Sequence, residues 1–262
     1  MGRASYSSVQ TFYDCPFHYK LRYIDRLETK PDTNPSSALY EGTAIHEAIE
    51  KRSITEGLNS YKSNYPILGK EHEFEMYKLE KTMEKAIQQV PHGEYEFKLL
   101  NDYFVGYVDM LVKVSDGVYD LYDFKYSQNV DNYMKSGQIH IYKYFYEKIT
   151  GNTIRDIYYC FIPKSNIKYS EEEDIDSLKK KFDEFIESHD VEIKKVEYNP
   201  VNINYFFARQ KMIEKTTVFE KHHNFKCMFC EYQKFCRSNG KDKSELVLKE
   251  DGEGVEEVTL WS

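Results

Sequence analysis

Two aspartates and a lysine stand at a spacing that chemistry can use. Asp109 closes the run Gly106-Tyr107-Val108-Asp109, and Asp123-Phe124-Lys125 begins fourteen residues after it. Side chains at i and i+2 of a strand share a face, so on a strand Asp123 and Lys125 point the same way. A preceding strand that returns through Ser115-Asp116-Gly117 brings Asp109 beside Asp123. Two carboxylates at one end of a sheet suit Mg2+ or Mn2+, which take a couple of carboxylates together with water and phosphate oxygens. With a lysine to orient or deprotonate a water, the set is equipped for metal-assisted phosphodiester hydrolysis. The D-x-K triplet by itself is a weak signal, and an ion pair at a solvated strand end is its ordinary explanation.

A second constellation comes from cysteine. Cys227, Cys230 and Cys236 form a C-x2-C-x5-C cluster, and Cys15 lies far upstream in Asp14-Cys15-Pro16-Phe17. Four thiolates around one metal centre explain the pattern better than packing does. The N-terminal run through Ser7 has no apolar leader region, so the chain is expected in the cytoplasm of a bacterial cell or a phage-infected host. There structural disulfides are disfavoured. The total of five cysteines is odd, so pairing could not use them all. Zinc and an iron–sulfur cluster are both compatible with four thiolates. Cys160, in Tyr158-Tyr159-Cys160-Phe161, reads as a buried core cysteine.

The elements that must position these residues follow from apolar period and turn chemistry. The 262 residues are 40% hydrophobic and 31% charged, enough for one large domain with a core. A helix is expected from Ser7 to about Ile24, another over Ala38 to Ile54, and mostly helix from Leu58 to Val90. Glu94 to Leu100, Tyr103 to Val114 and Val118 to Phe124 read as a three-stranded antiparallel meander. Ser136 to Ile149 reads as a helix, Ile157 to Ile162 as a fourth strand, and Asp174 to Ser188 and Tyr205 to Glu220 as helices. The expected fold class is therefore α/β or α+β, a small mixed central sheet flanked by helices. The net charge is −8, which counts against a protein that coats nucleic acid by bulk positive charge, while local patches remain able to bind it.

His46 lies on the helix of Glu41-Gly42-Thr43-Ala44-Ile45-His46-Glu47, and Gln138 and Tyr142 share a helix face at i and i+4. In this order the set resembles the PD-(D/E)XK nuclease superfamily, in the branch of RecB-type and AddB-type nuclease domains and CRISPR-associated adaptation nucleases. The matching motifs are the helix histidine His46, the G-x-x-D strand of Gly106 to Asp109, the D-x-K strand of Asp123 to Lys125, and the Q-x-x-x-Y helix of Gln138 to Tyr142. Gly-Tyr-Val-Asp stands where a literal superfamily motif has Pro-Asp. Cys15-Pro16 with Cys227, Cys230 and Cys236 is similar to the frame of its iron–sulfur members. The resemblance implies a restriction-endonuclease-like core over residues 1–240, with the terminal segments joined at a 4Fe–4S cluster. It also implies that His46, Asp109, Asp123 and the carbonyl of Phe124 bind Mg2+ or Mn2+. Lys125 is implied to position the attacking water, and Gln138 and Tyr142 to contact DNA or steady the lysine.

The function so implied is a metal-dependent DNA exonuclease on single strands or DNA ends, in recombination, repair, or phage or CRISPR DNA processing. A catalytically idle DNA-end-binding or adaptor module of the same fold is the alternative. Lys20, Arg22 and Arg26 are candidate phosphate contacts, and Tyr19, Tyr23 and Tyr142 are candidate DNA contacts by stacking. Most of the 24 tyrosines and 16 phenylalanines are expected to be packing. Residues 241–262 are acidic and expected to be disordered. Their end, Glu257 to Trp261, is a candidate docking peptide for a replication or recombination partner.

Overall fold

The computed structural model describes residues 3–247. In chain order its helices are α1 (Tyr6–Asp14), α2 (Pro16–Tyr19), α3 (Ala38–Lys51), α4 (Ile54–Lys62), α5 (Lys70–Gln89), α6 (Val130–Met134), α7 (Gln138–Thr150), α8 (Ile175–Ser188), α9 (Val201–Lys215) and α10 (Gln233–Arg237). The strands are β1 (Glu94–Leu100), β2 (Val105–Ser115), β3 (Val118–Tyr126), β4 (Thr153–Ile162) and β5 (Glu192–Val196). Two compact units are distinguishable, one of residues 32–99 and 107–202 and one of residues 3–31, 100–106 and 203–247. Among the described residues, no helix is long and apolar enough to cross a membrane.

The first unit is built on a mixed sheet with strand order β1-β2-β3-β4-β5. β2 and β3 are antiparallel, with Met110 opposite Tyr122. Gly117 turns the hairpin with φ +70°, a left-handed conformation that glycine adopts without Cβ strain. β4 then runs parallel to β3, which demands a crossover connection; α6 and α7 supply it. One extra residue of β4 is accommodated between Tyr119 and Leu121. At that slip the Asp120 carboxylate accepts from Arg155 Nε at 2.9 Å and from the Asp156 N–H at 3.2 Å. Beyond it the ladder is regular, pairing Asp123 with Tyr159 and Lys125 with Phe161. β5, antiparallel to β4, was not expected, because Glu192-Ile193-Lys194-Lys195-Val196 has the composition of an exposed edge.

One face of α3 buries Ala44, Ile45, Ala48 and Ile49 with Leu79, Met83 and Ala86 of α5 and Met110, Phe124, Cys160 and Ile162 of the sheet. This packing fixes the helix that carries His46. Cys160 is buried as expected, and burial pushes its thiol up to about 12. Charges are buried beside this core in pairs, as burial requires. Lys164 lies 2.7 Å from Glu41, and Lys78 lies 2.7 Å from Glu75. Lys78 also donates to the Ile167 carbonyl at 2.9 Å, tying the segment after β4 to α5.

In the second unit the single helix expected from Ser7 to Ile24 is broken. The cap is Ser5, whose hydroxyl accepts from the Ser8 N–H, and α1 ends at Cys15 with φ −159° and ψ 106°. Pro16 is the cause, since a proline disfavours helical backbone in the residue before it and is well placed at a helix start. A π-helical turn, Lys20–Ile24, follows α2. The packed chain continues past residue 240: Leu246 bridges to Thr29 and is buried with Leu21 and Tyr232. Residues 248–262, including the candidate docking peptide Glu257 to Trp261, lie outside the described residues.

The α3–α4 contact can be tested. A Cβ on Gly57 would lie 2.7 Å from the Ala44 carbonyl oxygen and 2.7 Å from Ala48 Cβ. Helix propensity alone favours alanine there by about 1 kcal/mol, whereas overpacking against backbone costs about 1–3 kcal/mol. Gly57→Ala is therefore expected to lower stability in urea unfolding. A stabilised variant would show that the contact opens without cost.

Candidate active site

The sheet brings together the residues that the sequence singled out. Asp109 Oδ2 accepts from the Phe124 N–H at 2.6 Å, so one acidic side chain is fixed by the backbone of the D-x-K strand. Lys125 Nζ lies 2.5 Å from Asp123 Oδ2. It also donates to Gln138 Oε1 at 3.2 Å, and Gln138 Nε2 donates to the Tyr142 hydroxyl at 2.9 Å. The i, i+4 pair on α7 thus ends on the lysine. Tyr142 is buried, so it steadies the lysine through Gln138 and presents little surface to DNA. The rings of Tyr133 and Tyr159 flank the ammonium at 5.2 Å and 5.9 Å, a contact that favours a cation.

Burial sets the electrostatics. The Asp123 side chain is 2% exposed. Desolvation pushes its carboxyl up to about 6, Lys125 opposes the rise, and Asp109 adds to it. For Lys125, burial works against the charged form, but Asp123 and Asp109 outweigh it and the pKa is raised. The lysine is therefore an ammonium that holds and stabilises charge, and not a neutral base. Burial, and then Asp123, also push the Tyr142 hydroxyl up, so it remains a phenol that hydrogen bonds.

A third carboxylate joins the site. His46, on α3, places Nδ1 3.8 Å from Asp109 Oδ1. Potential ligand atoms of His46, Glu96 and Asp109 all lie within 4.8 Å of one another. Glu96 was missed because Glu94-Tyr95-Glu96-Phe97 alternates as a strand with a solvent face does. Its backbone, at φ +52° inside β1, is left-handed, which costs a non-glycine residue about 1–2 kcal/mol. Although the residue is exposed overall, partial desolvation of its carboxylate and then the Asp109 charge raise its pKa. The donor set fits a hard divalent cation, since an imidazole and two carboxylates converge where the repulsion between the carboxylates has no full compensation. Asp123 fits as well: its buried Oδ2 meets Lys125 as an ion pair but has no aligned hydrogen bond, leaving lone-pair capacity for a cation. Phe124 stands between them, its ring edge-on to His46 with centroids 5.6 Å apart.

The cysteines make a separate site within the second unit. Cys15, Cys227, Cys230 and Cys236 line one cavity of about 580 Å3. Cys227 lies within a 3-10 turn, Phe225–Phe229, and Cys230 is its C-terminal cap. The His222 and Asn224 N–H groups each approach a sulfur at 3.5 Å, that of Cys15 and of Cys227. His18 lies 4.0 Å from Cys230 Sγ and 3.2 Å from Glu231. Contact with Cys230 and then Glu231 raises the His18 pKa to about 9. Burial opposes ionisation of Cys230, yet His18 and the Tyr232 N–H lower its pKa overall. Burial raises that of Cys236, to which the other three sulfurs add. Of the candidate phosphate contacts, Lys20 pairs with Asp25 and Arg22 with Glu231.

The pattern that defines the PD-(D/E)XK nuclease superfamily matches residues 3–237. The chain belongs to that superfamily, and its mixed sheet with flanking helices is consistent with the superfamily core. No curated protein matches it. The fold is shared with the crystal structure of a protein from Eubacterium rectale described as "Putative exonuclease". The TM-score is 0.51 and the identity 13%, over 96% of this chain and 91% of that one.

The buried carboxyl of Asp123 has a signature in stability. Its native pKa, about 6, lies above the ordinary 3.8. The native state therefore loses stability as pH rises through that window, because folding holds a charge away from water. Without added metal, the unfolding free energy of the parent relative to Asp123→Asn is expected to fall between about pH 4 and pH 6. A flat difference across that window in denaturant titrations would place Asp123 in a solvated environment.

Proposed function

We propose that the chain is a Mg2+- or Mn2+-dependent DNA exonuclease acting on single strands or DNA ends. The observation that carries this reading is the buried Asp123–Lys125 pair, with Asp109, His46 and Glu96 gathered at the same end of the sheet. Asp109, Asp123 and His46 would hold the cation, with Glu96 and the Phe124 carbonyl as further donors. When bound, the cation supplies Lewis acidity toward the scissile phosphate. Lys125, fixed by Asp123 and Gln138, orients the attacking water and stabilises charge that develops on the phosphate. Gln138 and Tyr142 are positioning residues for that lysine. The geometry contains the parts of a working site, which favours an enzyme over an idle end-binding module.

The same reading assigns a 4Fe–4S cluster to Cys15, Cys227, Cys230 and Cys236, as in the RecB-type and AddB-type iron–sulfur branch. Support comes from the spacing of the sulfurs. A tetrahedral zinc site, with Zn–S of about 2.3 Å, holds its sulfurs about 3.8 Å apart. The four thiols line one cavity, and backbone N–H groups reach the sulfurs of Cys15 and Cys227, contacts that a cluster's thiolates use. Processing of DNA ends in recombination, repair, or phage or CRISPR pathways is the process we assign.

Cleavage of end-labelled single-stranded DNA in Mn2+ or Mg2+ tests the enzyme. Asp109→Ala and Lys125→Ala are each expected to lose on the order of a hundredfold or more in rate. Glu96→Gln is expected to need more Mn2+ for half-maximal rate. A Lys125→Ala variant that cuts like the parent would sink the assignment. Anaerobically purified protein is expected to be brown, with broad visible absorbance lost in Cys227→Ser. A colourless protein with stoichiometric zinc would overturn the cluster and leave the nuclease site standing.

A further inference from the structure

Charge is divided unevenly along this chain. Residues 3–31, 100–106 and 203–247 carry fourteen lysines and arginines against nine acids, a net of +5. Residues 32–99 and 107–202 carry twenty-one against thirty, a net of −9. In the positive unit four basic side chains pair with acids: Lys20 with Asp25, Arg22 with Glu231, Lys226 with Asp14 and Lys234 with Glu245. Arg209 is held instead by a ring and an amide. Its guanidinium carbon lies 3.7 Å from the centroid of the Tyr13 ring. Nη1 donates to Gln10 Oε1 at 3.2 Å, and Gln10 is held in turn by donating Nε2 to Asp14 at 3.0 Å. No carboxylate meets Arg209 directly among the described residues.

That arrangement holds a full positive charge in one orientation without neutralising it. The ring and the amide fix the guanidinium plane, so little rotamer freedom is lost when an anion binds. Tyr13 is 55% exposed. On α9, Tyr205, Arg209 and Met212 stand at i, i+4 and i+7 and so share a face, while Ile203, Phe206 and Gln210 are the buried residues of that helix. Tyr205 and Met212 are 60% and 58% exposed. A flat aromatic platform interleaved with an unneutralised guanidinium matches a polymer that offers phosphates and unpaired bases together. Duplex DNA offers the phosphates but keeps its base faces stacked.

We propose that Tyr13, Arg209 and Tyr205 form a single-strand-binding surface on the positive unit, with Arg209 on phosphate and the tyrosines under bases. This rests on DNA being the substrate and adds a strand contact outside the metal-binding set. The test is fluorescence anisotropy with labelled oligodeoxythymidylate and a blunt duplex, using the full-length Asp109→Ala protein without added divalent metal, across a salt series. Arg209→Gln keeps a planar amide and removes the charge. It is expected to weaken single-strand binding about tenfold and to reduce the salt slope by about 0.7–1. Tyr13→Phe is expected to bind like the parent, Tyr13→Ala about tenfold more weakly, and duplex binding to change less in every variant. Unchanged single-strand affinity in both Arg209→Gln and Tyr13→Ala overturns the proposal. So does an equal loss on duplex, or a change of oligomeric state in place of DNA affinity. Because binding is read without cleavage, a failed Lys125→Ala test leaves this result separately interpretable.

Discussion

An ammonium held against a carboxylate that water hardly reaches governs the reactive end of the sheet. Taking both Asp123 and Lys125 out of water costs several kcal/mol per ion, and their attraction compensates only with good geometry and further partners. The structure supplies these in layers. The Asp120 clamp sets the β3–β4 register, the register turns Asp123 and Lys125 to one face, and α7 presents Gln138 to the lysine. Asp109 is fixed by the strand between them. With Glu96 and His46 added, the site is electrostatically unsettled in a definite direction, toward binding a cation.

The division of charge gives the molecule two different relations to a polyanion. The unit that carries Asp109, Asp123 and Lys125 is net negative and repels it, and a divalent cation is the natural means of reversing that repulsion locally. The positive unit attracts it at longer range, by an interaction that salt screens within about 10 Å at 0.1 M ionic strength. In the function proposed above, grip and cut are thus separate electrostatic problems. A total charge of −8 hides this division.

Period and turn chemistry made much of this legible. Alternation placed Asp123 with Lys125, the Ser-Asp-Gly turn aligned Asp109 with them, and the i, i+4 rule put Gln138 with Tyr142. His46 stood out by the order of motifs more than by its own surroundings. Other features depend on contacts that residue types do not announce. Glu96 sits in a strand with ordinary alternation, and its left-handed backbone is a tertiary imposition. Tyr142 could have faced DNA or the lysine, and only packing on α7 decides. β5 has an edge strand's composition, and Leu246 is buried although its neighbours read as tail. The break at Cys15 was visible in Pro16, yet the helical period on either side masked it.

One consequence follows from the chain's path. Residues 3–31 are made before the sheet, but the unit they belong to needs residues 203–247, made after it. Synthesis is vectorial and domains generally fold as units as they emerge. The sheet that carries the acids can therefore assemble while Cys15 still waits for Cys227, Cys230 and Cys236. A ribosome that stalls before residue 227 releases a chain with its acids and lysine but without the four-thiol cavity. Completion of that cavity reports that translation has passed Cys236.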